Sequence, residues 1–307
     1  MVTVKTTTPV LEAFTTLATR HIHSAPVYDE ATGTYVGFVD MSDFVKHAVN
    51  VHTVASTKGS AVDDAFTSLR NLIAASSMLG PSATALSIAN ISRNNPFLPV
   101  AATAPAMDVF RLLASTPLGG KSVHRVPVVD ATNAIVGIIT QSDVVQFLAG
   151  KLAELGPVAG ATVHTKPVTA IDADMPVLAA FEVMAEKQLS GLPVVDGDTR
   201  RPITALTNSD VRLMVGASLD SDTGLVGTSV MDFIKGVRLA QDRKRTDGRT
   251  AALFSAVRDT ASYWDVITKL AATRQHRVFV ETEDGTLCGV VSLKDIIARM
   301  VGAAPLK

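Results

Sequence analysis

The feature that most constrains this chain is internal repetition. Four segments follow one order: a short Val/Pro-rich strand, a turn, a second β-branched strand, and an aspartate three residues beyond a hydroxyl or acidic side chain. The first runs Ser24-Ala-Pro-Val-Tyr-Asp, then Tyr35-Val-Gly-Phe-Val-Asp-Met-Ser-Asp43. The second runs Arg125-Val-Pro-Val-Val-Asp, then Ile135-Val-Gly-Ile-Ile-Thr-Gln-Ser-Asp143. The third has Gly191-Leu-Pro-Val-Val-Asp and Ile203-Thr-Ala-Leu-Thr-Asn-Ser-Asp210; the fourth has Arg277-Val-Phe-Val-Glu and Leu287-Cys-Gly-Val-Val-Ser-Leu-Lys-Asp295. From Pro26, Pro127, Pro193 and Phe279 to the closing aspartate is sixteen or seventeen residues every time, an interval chance does not hold four times. Such periodicity sets the architecture before any single residue is weighed.

Each copy reads as β-α-β-β-α, so the fold class is α/β, built as four repeats. An amphipathic helical stretch such as Val177, Leu178, Phe181 and Met184 precedes the strands. Turn residues such as Asp196-Gly197-Asp198 separate them. A unit of roughly fifty residues buries too little of its own helical faces to stand alone. Copies are therefore expected to pair. We place them at 1–50, 96–152, 160–217 and 248–304, with consecutive copies forming modules 1–155 and 156–307. Two connectors remain, 51–95 and 218–249. Helices are expected in them over Val62 to Ala75 and over Ser229 to Leu239, the latter with Ser229 as cap.

Composition excludes several function classes. Apolar residues make up 47% of the chain and its net charge is −1, which argues against disorder and against nucleic acid as partner. The basic run Arg243, Lys244, Arg245 and Arg249 is broken by Asp242 and Asp247 and reads as a solvated linker. One cysteine, Cys288, allows no intramolecular disulfide and no cysteine-built zinc site, so a reducing setting, cytoplasmic or nuclear, is expected. No signal-peptide core follows Met1. The uncharged stretch between Arg70 and Arg93 contains Gly80, Pro81, Asn71 and Asn90, and reads as a connector rather than a membrane span. Phosphate-loop and dinucleotide-loop motifs are missing, and the histidines lack metal-ligand spacing, so neither an enzyme nor a metal is expected.

These four segments resemble cystathionine-β-synthase (CBS) domains, and their details are of the four-CBS gamma-subunit type of AMP-activated and SNF1-related protein kinases. The likeness rests on Val4-Lys-Thr-Thr-Thr-Pro-Val through His23-Ser-Ala-Pro, on His124-Arg125 before the second Val-Pro-Val-Val-Asp, and on His276-Arg277 with Gly289-Val-Val-Ser-Leu-Lys-Asp295. It implies a regulatory protein that binds AMP, ADP and ATP and relays energy status to kinase catalytic and scaffold subunits. Unlike those subunits, the chain begins almost at the first strand, which suggests a fragment or a different mode of partner engagement.

Within that resemblance, Asp143, Asp210 and Asp295 are candidate ribose ligands, since a carboxylate offers two acceptors to a vicinal diol. Thr140, Thr207 and Ser292 are the accompanying hydroxyls. Both groups equally suit a plain helix cap with no ligand at all. His124, Arg125, His276 and Arg277 are candidate phosphate ligands, the guanidinium being a forked donor; the bland alternative is polar capping of a strand edge. His23 stands where the gamma pattern has arginine, giving a weaker, pH-sensitive grip. In copy one Asp40 replaces the hydroxyl, so Asp40 and Asp43 together repel an anion unless a metal bridges them; Asp43 is a doubtful site. Asp143, by contrast, supplies a carboxylate that animal gamma subunits commonly lack in copy two. Two other readings stay open: an interaction scaffold whose clefts have decayed, with Ala74 to Ser92 as a docking surface, and an adenylate sensor acting on a non-kinase effector.

Overall fold

A computed structural model describes residues 1–57, 83–92, 95–115, 123–211, 227–244 and 254–302. The expected helix at Val62 to Ala75, residues 74–82 of the Ala74 to Ser92 stretch, and Arg245 and Arg249 lie outside the described residues, as do the side chains of Arg243 and Lys244.

Each copy builds one three-stranded sheet, in the orders β1-β2-β3, β4-β5-β6, β7-β8-β9 and β10-β11-β12. The strands are β1 (Val4–Lys5), β2 (Ser24–Asp29), β3 (Thr34–Asp40), β4 (Val100–Ala101), β5 (Arg125–Val129) and β6 (Ile135–Thr140) in the first half. In the second half they are β7 (Ile171–Asp172), β8 (Gly191–Val195), β9 (Pro202–Thr207), β10 (Ala256–Arg258), β11 (Arg277–Glu281) and β12 (Leu287–Ser292). The first strand of each sheet runs parallel to the second across a helix, and in copies one, two and four the second and third form an antiparallel hairpin. The repeat reaches into the register. Val27 faces Gly37, Val128 faces Gly137 and Val280 faces Gly289, and each pairing is followed at once by a register shift. One bulge, conserved among the copies, thus re-aims the end of each hairpin. The first helices of copies one, three and four likewise end at left-handed residues in matching places, His21, Gln188 and Arg274, a common helix stop even where no glycine is available.

The β-α-β-β-α order is complete in copies one, two and four; in copy three it is described as far as Val211. The connector helix runs Val230–Lys244, and the Ser229 hydroxyl accepts from the Asp232 amide at 3.1 Å, as the cap signal implied.

Two compact units result. One comprises Met1–Ser92, Ala170–Asp198 and Ala205–Ala251, which joins copies one and three; the other comprises Arg93–Thr169, Thr199–Thr204 and Ala252–Lys307, which joins copies two and four. This grouping differs from the modules 1–155 and 156–307 expected above. The reason is helical: the apolar stripes of alternate copies close on each other. In the first unit the Met41–Thr57 helix packs on Val177–Lys187, over a core that includes Phe14, Phe44, Phe181 and Phe233. In the second, Ala106–Ala114 and Gln141–Ala149 pack on Leu293–Met300, and Gln141–Ala149 also on Tyr263–Thr273, over Val126, Val278, Ile296 and Ile297. Gln146 seals that contact by donating to the Ala271 carbonyl at 2.7 Å.

Connector segments lie on the sheets; the lead-in to β7, which carries Thr165 and Lys166 and was counted above in copy three, acts as a third connector beside 51–95 and 218–249. Asn90 donates its amide to the Phe38 carbonyl at 3.0 Å in the first unit. In the second, Lys166 and Val290 exchange amide–carbonyl bonds of 3.3 and 3.2 Å. Phe38 and Val290 each stand five residues before the closing aspartate of their copy, so the two connectors dock at one repeat position.

Candidate functional site

The halves of the sequence pattern, some fifteen residues apart, are brought together by hairpin register. Arg125 pairs across the strands with Thr140, and Arg277 with Ser292. In copy one Ser24 faces Asp40. The residue before the strand closes the arrangement through its carbonyl. His124 accepts from the Gln141 amide at 3.0 Å, His276 from Leu293 at 3.0 Å, His23 from Met41 at 3.2 Å, and Ser190 from Asn208 at 3.2 Å. Strand entrance and helix start are therefore one locus in copies one, two and four, and in copy three the strand entrance meets the turn at Asn208 in the same way.

At that locus the hydroxyl-x-x-Asp turn forms a reciprocal cap. Thr140 gives its amide (2.9 Å) and hydroxyl (2.8 Å) to Oδ2 of Asp143, and the Asp143 amide returns a bond to the Thr140 hydroxyl at 3.2 Å. Ser292 does the same with Asp295, at 2.9, 2.6 and 3.4 Å. Thr207 gives its amide and hydroxyl to Oδ2 of Asp210 at 2.7 and 2.8 Å. The cap alternative raised from sequence is thus realised at Thr140 and Ser292, each at the start of a helix, and in all three turns one oxygen of the carboxylate is consumed. What happens to the other oxygen distinguishes the copies. Among the described residues, Oδ1 of exposed Asp143 has no hydrogen-bond partner. Oδ1 of Asp295 is held by the Lys166 ammonium at 2.5 Å. Asp210 is buried, at 5% exposure.

Copy one is different in kind. Asp40 and Asp43 are both buried; the Asp43 amide donates to Asp40 at 3.0 Å, the Asp40 amide to Oδ2 of Asp43 at 2.9 Å, and the Ser92 amide to Oδ1 of Asp43 at 2.8 Å. Burial first, and the Asp40 charge second, hold the Asp43 carboxyl well above the usual carboxylate range. The two acids do not face an open ligand region as the sequence suggested; they are spent on each other and on the connector. His23 meets copy three instead, its Nδ1 lying 3.2 Å from the Ser209 hydroxyl.

The second unit collects the charge. His124, Arg125, His276 and Arg277 converge there, each histidine within the field of both arginines. Burial foremost, then Arg125, His276, Arg277 and Lys294, pushes the His124 imidazole down to about 3. Burial, then Arg277 and Arg125, brings His276 to about 4, and burial alone lowers Arg277 to about 10. Desolvation and the nearby guanidiniums both disfavour the charged imidazoles, and an anion placed among these groups would favour their charged forms. Arg125 is aimed by the buried Asn95, which accepts from its Nε at 3.1 Å.

Three contributors escaped the sequence reading. Lys294, buried beside Asp295, is lowered to about 8 by burial and by Lys166. Lys166 and Asn95 arrive on connectors, and no local pattern marks them. Lys294 alone carried a signal: a lysine inside the repeated capping turn, where the other copies have Ser142, Ser209 and Ser42. Among the described residues there is no group of three or more metal-ligating side chains, and no helix long and apolar enough to cross a membrane.

Repeated hairpins, paired copies and capping turns define a class. The family model for the CBS domain matches residues 1–50, 88–150, 159–212 and 255–302, and the chain belongs to that family. Among individual proteins, it is 27% identical to SNF1-related protein kinase regulatory subunit gamma-1 of Arabidopsis thaliana, over 97% of this chain and 78% of that one. It is 23% identical to the 5'-AMP-activated protein kinase subunit gamma of Dictyostelium discoideum, covering 97% of this chain but 48% of the relative, and 26% identical to Protein SDS23 of Yarrowia lipolytica, covering 97% and 63%. In fold it is similar to a Methanocaldococcus jannaschii protein described as a candidate archaeal homologue of γ-AMPK, with a TM-score of 0.61, 17% identity, and coverage of 97% and 95%.

Proposed function

We propose that the chain is a non-catalytic, adenine-nucleotide-binding regulatory protein whose phosphate-binding centre is the basic cluster of the second unit. The observation that carries this reading is the convergence of His124, Arg125, His276, Arg277 and Lys294 beside two capping turns, Thr140-x-x-Asp143 and Ser292-x-x-Asp295. Guanidinium and imidazole donors grip the phosphate, while the carboxylates of Asp143 and Asp295 receive ribose hydroxyls. Thr207 and Asp210 form the copy-three counterpart without an adjacent arginine, and His23 is the sole basic candidate of the first unit. Asp43, buried and fully engaged, takes no ligand. AMP, ADP and ATP are the proposed ligands, and kinase catalytic and scaffold subunits the proposed partners, in keeping with the names of the plant and slime-mould relatives.

Isothermal titration with AMP, ADP and ATP, with S-adenosylmethionine as control, tests the ligand. Losing one charged hydrogen bond to phosphate costs about 1.5 to 3 kcal/mol, about ten- to a hundredfold in affinity. Arg125→Ala and Arg277→Ala are each expected to weaken AMP by that factor, and Asp143→Ala to lower the stoichiometry or affinity. Unchanged dissociation constants in both arginine variants would leave strand-edge capping as the explanation. The effector is tested separately, by reconstitution with kinase catalytic and scaffold subunits. A second reading is an adenylate sensor with another effector; failure to assemble while AMP still binds would favour it.

A further inference from the structure

The four closing aspartates are not equally accessible, and in two copies a connector decides. In copy one the connector seals the carboxylate with a backbone amide, from Ser92 to Oδ1 of Asp43. In copy four the connector docks at the same repeat position, through the Lys166–Val290 bridge, but reaches the carboxylate with a side chain. Close packing fixes where that lysine starts from. A Cβ on Gly289 would lie 2.5 Å from Cβ of Thr165, so the connector approaches the hairpin as tightly as only glycine allows. The Lys166 side chain remains 39% exposed while its Asp295 partner is at 15%. An amide is a fixed cap; a half-exposed lysine can leave.

We infer that Lys166 is a latch on the copy-four site, occupying the Asp295 oxygen that a ribose diol would use, so that this site admits phosphorylated nucleotides in preference to neutral nucleosides. The inference rests on the ribose role proposed for Asp295. A neutral riboside has to break the Lys166–Asp295 pair and offers the ammonium no new partner. A nucleotide brings its own anion into the basic cluster, to which the released lysine turns. Among the described residues no lysine pairs with Asp143, so the copy-two carboxylate stays open to both kinds of ligand.

The test is titration of the 307-residue chain with adenosine and with AMP, in wild type, Lys166→Met and Lys166→Gln. Because the pair is partly exposed, its removal is expected to tighten adenosine about two- to fivefold, while AMP gains nothing or weakens. The preference for AMP over adenosine therefore narrows by at least that factor. Adding Asp295→Ala to Lys166→Met must abolish the gain in adenosine affinity. An unchanged AMP-to-adenosine ratio in both lysine variants, with AMP binding intact, overturns the latch alone. Failure of AMP to bind even the unsubstituted chain overturns the ribose reading and the latch together.

Discussion

Replacing Arg277 with methionine is expected to stabilise the free protein while abolishing most of its response to nucleotide. Burial lowers the guanidinium well below its ordinary value, to about 10. At about 1.4 kcal/mol per pH unit, that corresponds to at most about 3 kcal/mol of unfavourable charge burial. The residue keeps intermediate exposure, so water screens part of this, and about 1.5 kcal/mol is the working value. The cost applies at every pH below about 10, where the side chain is charged both folded and unfolded. Methionine retains the apolar stem and removes the charge. For a unit of this size the gain corresponds to a rise of about 3 to 6 °C in melting temperature. The assay is thermal unfolding at pH 7.5 by circular dichroism, with and without AMP, using exposed Arg20→Met as a control expected to move neither value. AMP at a hundred times its dissociation constant stabilises the wild type by about 2.7 kcal/mol; Arg277→Met is expected to lose most of that shift. A variant that melts below wild type and still responds fully to AMP would refute the reasoning, since the contacts Arg277 makes would then outweigh the cost of burying its charge.

Three further outcomes follow from the same geometry. His124 and His276 are held neutral, their folded values of about 3 and about 4 lying below the 6.5 of an unfolded histidine. The unfolded chain thus binds more protons below pH 6.5, and stability present above 6.5 is lost as pH falls toward 4, by well under about 1.4 kcal/mol per pH unit for half-buried His124 and by less again for His276, whose exposed side lets water screen its charge. His276→Gln is expected to flatten the melting temperature between pH 6.5 and 5, above the carboxylate range; an unaltered slope contradicts the assignment. Gly289→Ala forces Thr165 aside and is expected to cost about 1 to 3 kcal/mol, with Thr165→Gly restoring most of it in a denaturant double-mutant cycle. Asp40→Ser gives copy one the cap of the other copies and removes a buried like charge from Asp43. A gain of about 1 kcal/mol is expected at pH 7.5, shrinking as pH falls and Asp43 protonates; a loss at pH 7.5 would show that the acid pair is itself a favourable contact.

Much of this molecule was legible because it is local. Hydrophobic alternation, turn residues and the hydroxyl-x-x-Asp cap act over a few positions, so the β-α-β-β-α order, the Ser229 cap and the Ser292–Asp295 cap could be read directly. The His-Arg pairs were visible as well, since a dipeptide repeated in alternate copies stands out without any coordinates. Their convergence was not: it comes from the helices of copies two and four closing on each other, where consecutive pairing had been expected.

Equal motifs also acquired unequal environments. Asp143, Asp210, Asp295 and Asp43 look alike along the chain, yet one is open, one buried, one held by Lys166 and one sealed by Ser92. By itself the sequence determined a fourfold α/β repeat with a capped helix at each candidate site, because backbone hydrogen bonding and side-chain periodicity are properties of neighbouring residues. Only the tertiary structure decided which copies share a core, which carboxylate oxygen is left for a ligand, and which cations crowd together. Desolvation and Coulomb fields depend on distance in space, and the connectors that set those distances carry no local pattern of their own.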